Sequence, residues 1–480
     1  MRILSVLYVL GLLMLFLGLA LLVPLLTSLY YGESDWYAFA MTIVLSEAIG
    51  YALWFRGRGS KELRVKEGFA VVTFGWITLS LVGMLPFIFS GAIPSVTDAF
   101  FETVSGFTTT GATILTDIEP LPHGLLLWRS LTHWLGGMGF IVLSLAILPL
   151  LGVGGMQLYK AEMPGLSKDK LTPRIAGTAK ALWGVYVLLS LAEAVLLVIG
   201  GMPIFDAVNH TMATMATGGF STKNASVGFY GNDFTEWVII VFMFLAGINF
   251  SLHFRVLRGD IWTYFRDREF QFYLGAMLVV SAILAIDVRM HYETSTADAV
   301  RDAVFQTVAI GTTTGFGTAD YDSWSTISRM SLLVLMFFGG MAGSTGGGMK
   351  IVRIMLLLKN GVVELVKSLH PNAVIPIRIG KLIVSSDVMS RILGFFLIYI
   401  SIFVITALIM AMLGLDMVSA IGAAAASVGN IGPGFGSVGP TMNYADIPAL
   451  GKWVLSFAML MGRLELYTVL VLLTPDIWKA

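Results

Sequence analysis

Apolar stretches long enough to cross a lipid bilayer recur along the whole chain. A hydrocarbon core about 30 Å thick requires roughly 20 apolar residues in helical form. The predicted spans are 4–31, 36–55, 68–92, 124–152, 177–201, 234–254, 270–288, 325–358, 389–414 and 447–474. The sequence therefore predicts an all-α integral membrane protein that crosses the bilayer many times.

The composition agrees with a membrane location and argues against several other classes of protein. Hydrophobic residues make up 56% of the 480 residues and charged residues 12%, far from the usage of soluble domains. The formal net charge is zero, so nothing indicates a nucleic-acid partner. The chain has no cysteine, which excludes disulfides, thiolate catalysis and Cys-based metal sites. We also expect no enzymatic activity, because no Ser–His or paired-Asp arrangement falls within the spans.

The distribution of basic residues predicts the orientation in the membrane. Together with Arg2, the four loops 56–66, 157–180, 255–268 and 350–391 hold 22 of the 30 basic residues. Loops rich in Lys and Arg face the cytoplasm. The charge-free stretch 3–32 is too long for a signal peptide and lacks a cleavage site, so we predict a retained helix. Both termini are then expected on the cytoplasmic side.

Four shorter apolar segments lie in the opposite, outward-facing loops and resemble one another. Each starts at an aspartate: DAFFETVSGFTTTGAT from Asp98, DAVNHTMATMATGGFST from Asp206, DAVFQTVAIGTTTGFGT from Asp302 and DMVSAIGAAAASVGNIG from Asp416. A glycine stands thirteen residues after each aspartate, at Gly111, Gly219, Gly315 and Gly429. This regularity predicts four structural repeats.

The order aspartate, short helix, threonine, glycine has a physical interpretation. Aspartate is a good N-cap and suits the positive end of a helix dipole, with attraction of cations as the alternative role. About ten helical residues reach only half-way through the hydrocarbon. The chain must then return in non-helical form, which membranes tolerate only where it is buried in protein or lines a watery cavity. Four such turns around one axis would present backbone carbonyls that replace the hydration shell of a cation.

These motifs resemble the superfamily of potassium transporters that includes the bacterial TrkH and KtrB proteins and the plant HKT proteins. The residues that carry the resemblance are TTTGAT (108–113), ATGGFST (216–222), GTTTGFGT (311–318) and SVGNIGPGFG (427–436). It extends over essentially the whole chain, and two spans before the first repeat favour the TrkH type. The resemblance implies four membrane helix, pore loop, membrane helix units around one pore, preceded by two extra transmembrane helices.

The resemblance also implies a domain division, a K⁺ filter and partners. The expected units are an N-terminal extension (1–60) and repeats at 61–156, 157–260, 261–370 and 371–480. The expected filter residues are Thr109, Thr110, Gly111, Thr217, Gly218, Gly219, Thr313, Thr314, Gly315, Val428, Gly429 and Asn430. A serine at the first filter position accompanies sodium transport in plant relatives, so Gly111 favours K⁺ as the transported ion. Expected partners are a second copy of the chain and a cytosolic TrkA-like nucleotide-binding ring, at the cell inner membrane.

Two further features are candidates for a gate. The segment 339–350 contains six glycines, and at about 1 kcal/mol each relative to alanine a continuous helix there is disfavoured. We therefore predict that the span 325–358 breaks around an intramembrane loop. By resemblance this loop, with Gly346, Gly347, Gly348 and Lys350, gates the pore, and Arg463 acts as an electrostatic barrier below the filter.

Alternatives remain open for each of these features. The repeated segments could be packing elements of a different transporter, such as a Na⁺- or H⁺-coupled carrier with broken helices. The glycine-rich loop could be a passive hinge. Arg463 could form a structural ion pair with Glu465 or Glu193, because charges inside a membrane need a partner. The sequence does not distinguish a channel from a symporter.

Overall fold

The computed structural model describes residues 2–59, 64–146, 171–292, 294–380 and 382–478, most of which are helical. The helices are α1 (Ile3–Ala20), α2 (Leu22–Tyr31), α3 (Trp36–Gly57), α4 (Val65–Gly83), α5 (Leu85–Phe89), α6 (Val96–Phe107), α7 (His123–Ala146), α8 (Leu171–Ile199), α9 (Ile204–Met215), α10 (Asp233–Ala246), α11 (Phe250–Leu257), α12 (Thr263–Arg266), α13 (Arg268–His291), α14 (Thr296–Gly311), α15 (Thr326–Leu335), α16 (Ile351–Leu369), α17 (Ser386–Met412), α18 (Met417–Gly429), α19 (Ala449–Arg463), α20 (Tyr467–Leu470) and α21 (Pro475–Trp478). Within this part of the chain, the strands are limited to the antiparallel pair β1 (Arg378–Ile379) and β2 (Leu382–Ile383).

Six unbroken helical segments among the described residues are apolar and long enough to span a membrane. They are Ile3–Tyr31, Trp36–Gly57, Lys66–Phe89, Gly177–Ile199, Arg268–His291 and Ser386–Met412, and they match six of the predicted spans. The predicted span 124–152 coincides with α7 as far as residue 146. Its remainder and most of the basic loop 157–180 lie outside the described residues.

Two of the predicted spans are not single helices, because the helix breaks inside each of them. The span 234–254 divides into α10 and α11, which meet at an angle of 104°. The span 447–474 divides into α19 and the segment Tyr467–Leu473, at an angle of 111°. Arg463 is therefore the last residue of α19, at a helix end, and does not lie in the middle of a spanning helix.

The break between α10 and α11 is compensated by hydrogen bonds from a distant segment. The carbonyl oxygens of Ala246 and Gly247 have lost their helical donors, and such groups must be satisfied inside a membrane. Met341 N donates to the oxygen of Gly247 at 2.8 Å, and Thr345 Oγ1 donates to the oxygen of Ala246 at 3.1 Å. Asn249 caps the new helix by accepting from Ser251 N at 2.8 Å.

The predicted interruption of the span 325–358 is confirmed. Helix α15 ends at Leu335 and α16 begins at Ile351, and the residues between them have no regular helix. The glycines in this loop that adopt a left-handed backbone are Gly343 (φ 78°) and Gly348 (φ 64°). The loop is buried almost throughout, as irregular backbone at membrane depth must be.

The chain forms four units of two membrane helices with a short helix between them, after an N-terminal pair of spans. The short helices, here called the pore helices, are α6, α9, α14 and α18, with 12, 12, 16 and 13 residues. They are too short to cross the bilayer. The N-terminal spans pack closely through glycine, since a Cβ on Gly11 would lie 2.8 Å from the oxygen of Gly50.

The prediction that an aspartate caps each pore helix is right only for Asp416. Asp416 accepts from Val418 N at 2.9 Å and Ser419 N at 3.2 Å, and the hydrogen bonds from Ser419 lower the pKa of this carboxyl. The other caps are Ser95, Pro203 and Ser295. Serine caps as well as aspartate does, so the sequence alone did not decide between them.

The three other aspartates lie inside their pore helices. Asp98 forms an ion pair with Lys452 of α19 at 2.5 Å and joins the first repeat to the fourth. Asp206 accepts from Thr222 Oγ1 at 2.7 Å. Asp302 is the seventh residue of α14, because that helix begins one turn earlier relative to its aspartate.

Candidate functional site

Each pore helix ends in the same unusual backbone turn. A non-glycine residue with positive φ follows the helix, and a glycine with positive φ comes two residues later. The pairs are Thr109 (51°) with Gly111 (81°), Thr217 (54°) with Gly219 (81°), Thr313 (62°) with Gly315 (77°), and Asn430 (54°) with Gly432 (97°). The described residues include seven non-glycine positions with positive φ, and four of them are these. The turn is therefore a shared feature of the four repeats, and its strain is typical of a functional site.

The four glycines of these turns, here called the ring glycines, close a circle of backbone contacts. A Cβ on Gly432 would lie 2.6 Å from the oxygen of Thr110. A Cβ on the others would overlap the next repeat in the same way: Gly111 meets the oxygen of Gly218, Gly219 that of Thr314, and Gly315 that of Ile431. The contacts run from repeat one to two, three, four and back to one. The four turns therefore surround a single axis.

In the fourth repeat, the glycine of the ring is not the one in the predicted set. Gly432 is the ring glycine, whereas Gly429 is the last residue of α18 and has no left-handed backbone. The oxygen of Val428 is directed at Gly462 of α19 and not at the ring. The fourth turn of the ring is therefore formed by Asn430, Ile431 and Gly432.

The ring glycine differs from the predicted one because the prediction counts residues from the aspartates. The ring glycine lies sixteen residues after the N-cap in repeats one, two and four, at Ser95, Pro203 and Asp416. Asp416 is itself a cap, but Asp98 and Asp206 lie three residues further in. Counting thirteen residues from each aspartate thus displaced the fourth repeat by three positions.

Side-chain hydrogen bonds hold the lower part of the ring. Thr108 Oγ1 lies 2.7 Å from Thr110 Oγ1, and the equivalent pair Thr312 and Thr314 has the same separation of 2.7 Å. Asn430 Nδ2 donates to Thr110 Oγ1 at 3.0 Å and to the oxygen of Met459 at 2.9 Å. The Asn430 amide therefore links the first and fourth turns.

This arrangement can bind a dehydrated cation. Consecutive carbonyls from four turns supply the oxygen ligands that replace a hydration shell. The C-terminal ends of the four pore helices point toward the same region, and the negative end of a helix dipole stabilises a cation. Among the described residues, no cluster of three or more His, Asp or Glu side chains offers a metal site. The oxygen atoms that this arrangement offers to a cation are the backbone carbonyls of the turns.

The glycine-rich loop lies directly against the pore-helix end of the ring. Gly347 N donates to Thr313 Oγ1 at 2.7 Å, and Thr345 Oγ1 donates to the oxygen of Met215 at 3.0 Å. A Cβ on Gly347 would lie 2.8 Å from the oxygen of Gly429. The loop thus contacts the end of the pore helix in repeats two and four and the turn in repeat three.

Two buried cationic side chains contact the same loop. Lys350 Nζ donates to the oxygen of Gly346, and Arg463 Nη1 donates to the oxygen of Thr345 at 2.7 Å. Glu465, one of the partners considered for Arg463, forms an ion pair with Arg353 at 2.5 Å. The structure therefore brings Gly346, Lys350 and Arg463 together beneath the ring.

Several residues of the site were missed by sequence reasoning. They are Ile431 and Gly432 of the ring, Thr108 and Thr312 below it, and Thr345 of the loop. Gly432 lies in the quoted motif SVGNIGPGFG, so the signal was present but was assigned to the wrong glycine. Thr345 carried no signal, because its partners Met215 and Ala246 are about 100 residues or more away.

Known proteins similar to this chain agree with the architecture. The family model for TrkH, a cation transport protein, matches residues 36–479. The Trk system potassium uptake protein TrkH of Salmonella typhimurium is 44% identical over 98% of each chain, and the protein TrkG of Escherichia coli K12 is 36% identical over 96% of each. The crystal structure of the potassium transporter TrkH from Vibrio parahaemolyticus superposes with a TM-score of 0.92 at 39% identity and full coverage of both chains.

The fold and the ring define a multi-pass membrane protein with four pore-loop repeats around one axis. The chain belongs to the TrkH family of cation transport proteins. The relatives are named as potassium uptake proteins of a Trk system.

Proposed function

We propose that this protein takes up K⁺ across the cell inner membrane through the ring. The observation that carries the proposal is the closed circle of contacts among the four ring glycines and the carbonyls of Thr110, Gly218, Thr314 and Ile431. Four carbonyl-bearing turns around one axis suit a monovalent cation that has lost its water. The names of the relatives, which are potassium uptake proteins, support K⁺ as that cation.

The filter residues follow from this proposal. Repeats one to three contribute the predicted residues, which are Thr109 to Gly111, Thr217 to Gly219 and Thr313 to Gly315. The fourth contributes Asn430 to Gly432, which replace the predicted Val428, Gly429 and Asn430. The filter is K⁺-selective because a glycine occupies every ring position.

The glycine-rich loop is the gate of this pathway. Its contacts with Thr313 and with the oxygens of Met215 and Gly429 support this role, since they obstruct the end of the ring that adjoins the pore helices. The positive charges of Lys350 and Arg463 raise the energy of a cation at the same level. Opening requires the loop to leave these partners.

The proposal includes an orientation, a domain division and partners. The basic loops 56–66 and 255–268 follow helices on the side away from the starts of the pore helices, which supports cytoplasmic termini. The division at 60, 156, 260 and 370 places one pore helix in each repeat. A second copy of the chain and a cytosolic nucleotide-binding subunit complete the assembly, and the names of the relatives, which refer to a Trk system, support a further component.

The proposed function is tested by flux of ⁸⁶Rb⁺ in proteoliposomes. The wild-type protein should take up ⁸⁶Rb⁺, and K⁺ should compete far better than Na⁺ or Li⁺. Gly111→Ser and Gly315→Ser should reduce that discrimination. A pH gradient imposed across the same vesicles separates a channel from a proton-coupled symporter. The filter assignment would be refuted if folded wild-type protein took up no ⁸⁶Rb⁺, or if neither substitution changed the discrimination between K⁺ and Na⁺.

A further inference from the structure

A polar side chain on the pore helix contacts the segment that leaves the ring in three of the four repeats. The residue nine positions before the ring glycine is Glu102, His210 and Gln306 in repeats one to three, and all three are fully buried. Each faces residues two to four positions after its own ring glycine, in the segment here called the exit limb. Three different side chains at the same position of the repeat therefore contact the same part of the exit limb.

In the first repeat the contact is charged. Glu102 Oε2 accepts from Ile114 N at 3.0 Å, and Glu102 Oε1 accepts from Thr113 Oγ1 at 2.9 Å. The buried guanidinium of Arg129 neutralises this carboxylate, with Nε 2.9 Å from Oε1. Arg129 Nη1 also donates to the oxygen of Ser221 at 3.0 Å. One ion pair thus holds the exit limbs of repeats one and two.

In the second repeat a neutral histidine makes the contact. His210 Nδ1 lies 2.8 Å from the oxygen of Asp206, which can only accept, so Nδ1 carries the proton. The free Nε2 then accepts from Ser221 Oγ at 2.9 Å. Ser221 follows Gly219 by two residues.

In the third repeat a glutamine amide takes this role. With its oxygen facing the exit limb, the Gln306 side chain accepts from Thr318 N at 3.1 Å and from Ala319 N at 3.2 Å. This orientation satisfies both polar atoms of the amide. Thr318 follows Gly315 by three residues, as Ile114 follows Gly111, so Gln306 and Glu102 bind equivalent backbone groups.

The fourth repeat holds its exit limb in another way. Ala423 occupies the equivalent position and has no polar atom to offer. Asp322 Oδ2 accepts from Gly436 N and Ser419 Oγ accepts from Ser437 N, both at 2.8 Å. Two tyrosine hydroxyls hold the backbone nearer the ring: Tyr444 Oη donates to the oxygen of Gly432 at 2.7 Å, and Tyr321 Oη donates to that of Gly434 at 3.0 Å.

From this pattern we infer that Glu102, His210 and Gln306 are positioning residues that set the ion discrimination of the ring. They do not face the ion, but they fix the backbone that carries the ring carbonyls. This inference rests on the proposed function, because it assigns a role in selecting the ion that the ring conducts.

The test compares three buried substitutions on one pore helix. Gln306→Leu removes the acceptor, whereas Gln306→Glu retains, in its protonated form, an oxygen of the same shape. Thr307→Val is the matched control, since its buried hydroxyl has no hydrogen-bond partner among the described residues. The readout is the ratio of Na⁺ to K⁺ concentrations that halve ⁸⁶Rb⁺ uptake, measured on protein that elutes as a single species.

We expect Gln306→Leu to lower this ratio at least tenfold, and Gln306→Glu and Thr307→Val to keep it within threefold. If Gln306→Leu does not fold, the same ratio is measured on Ser221→Ala, which removes the hydrogen-bond partner of His210 without altering a helix. The inference is overturned if folded Gln306→Leu still takes up ⁸⁶Rb⁺ and its ratio of Na⁺ to K⁺ concentrations is unchanged. The same result for Ser221→Ala overturns it when Gln306→Leu does not fold. A lack of uptake by the wild type would refute the proposed function instead.

Discussion

The assignment of Gly432 in place of Gly429 to the ring leads to a direct test with two alanine substitutions. Both residues are glycines near the end of one pore helix, and they are three positions apart. The sequence-based count favours Gly429 as the filter residue, whereas the structure favours Gly432. We predict that Gly432→Ala impairs ion discrimination and that Gly429→Ala has little effect.

The expected magnitudes follow from the local geometry. Gly432 has φ 97°, a conformation that costs a residue with a side chain about 1 to 3 kcal/mol. Its Cβ would also lie 2.6 Å from the oxygen of Thr110, a backbone atom that cannot rotate away. At Gly429 the contact nearest to a new Cβ is the tip of the Ile431 side chain at 2.9 Å, which can adopt another rotamer.

These differences translate into a measurable contrast. A distortion of about 1 to 3 kcal/mol that acts on K⁺ binding and not on Na⁺ binding changes discrimination by roughly 5- to 150-fold. The ratio of Na⁺ to K⁺ concentrations that halve ⁸⁶Rb⁺ uptake should fall by this factor in Gly432→Ala. In Gly429→Ala it should stay within about threefold, because alanine is the better helix former there.

The assay requires both variants to be folded, which size-exclusion profiles and unfolding temperatures in detergent establish. The reasoning fails if Gly429→Ala loses discrimination and Gly432→Ala keeps it. It also fails if two folded variants behave alike, since the ring would then not depend on a glycine at position 432.

Three further predictions concern the gate and the outer surface. Thr345→Val removes the hydroxyl that donates to the oxygens of Met215 and Ala246, so basal ⁸⁶Rb⁺ flux should rise severalfold, whereas an unchanged flux would argue against the loop as gate. Arg463→Ala removes a charge and a hydrogen bond to Thr345 below the ring and should also raise basal flux severalfold, and a flat or lower flux would contradict the barrier. Burial raises the pKa of the Asp35 carboxyl against the opposing effect of the Ser28 hydroxyl, so the folded protein binds that proton more tightly than the unfolded chain does. The free energy of unfolding should therefore decrease as the pH rises above the pKa of the unfolded chain, about 3.9, toward the pKa of the folded protein. Asp35→Asn should then raise the unfolding temperature at pH 7 but not at pH 4. An equal effect at both pH values would refute this.

The sequence by itself determined the membrane class, the four repeats and the position of three of the four turns that form the ring. These features depend on local properties of the chain. Apolar length sets the spans, and a half-length helix followed by threonine and glycine identifies the turns. The break before Ile351 was also predictable, because six neighbouring glycines disfavour a helix whatever surrounds them.

Only the tertiary structure decided the features that depend on contacts between distant residues. The helix break after Ala246 is stabilised by donors from Met341 and Thr345, which are about 100 residues further along the chain. The fourth ring glycine is Gly432 because its backbone meets Thr110, and no count along one segment contains that contact. Local chemistry thus sets which turns can form, and packing between repeats selects the residues that meet at the axis.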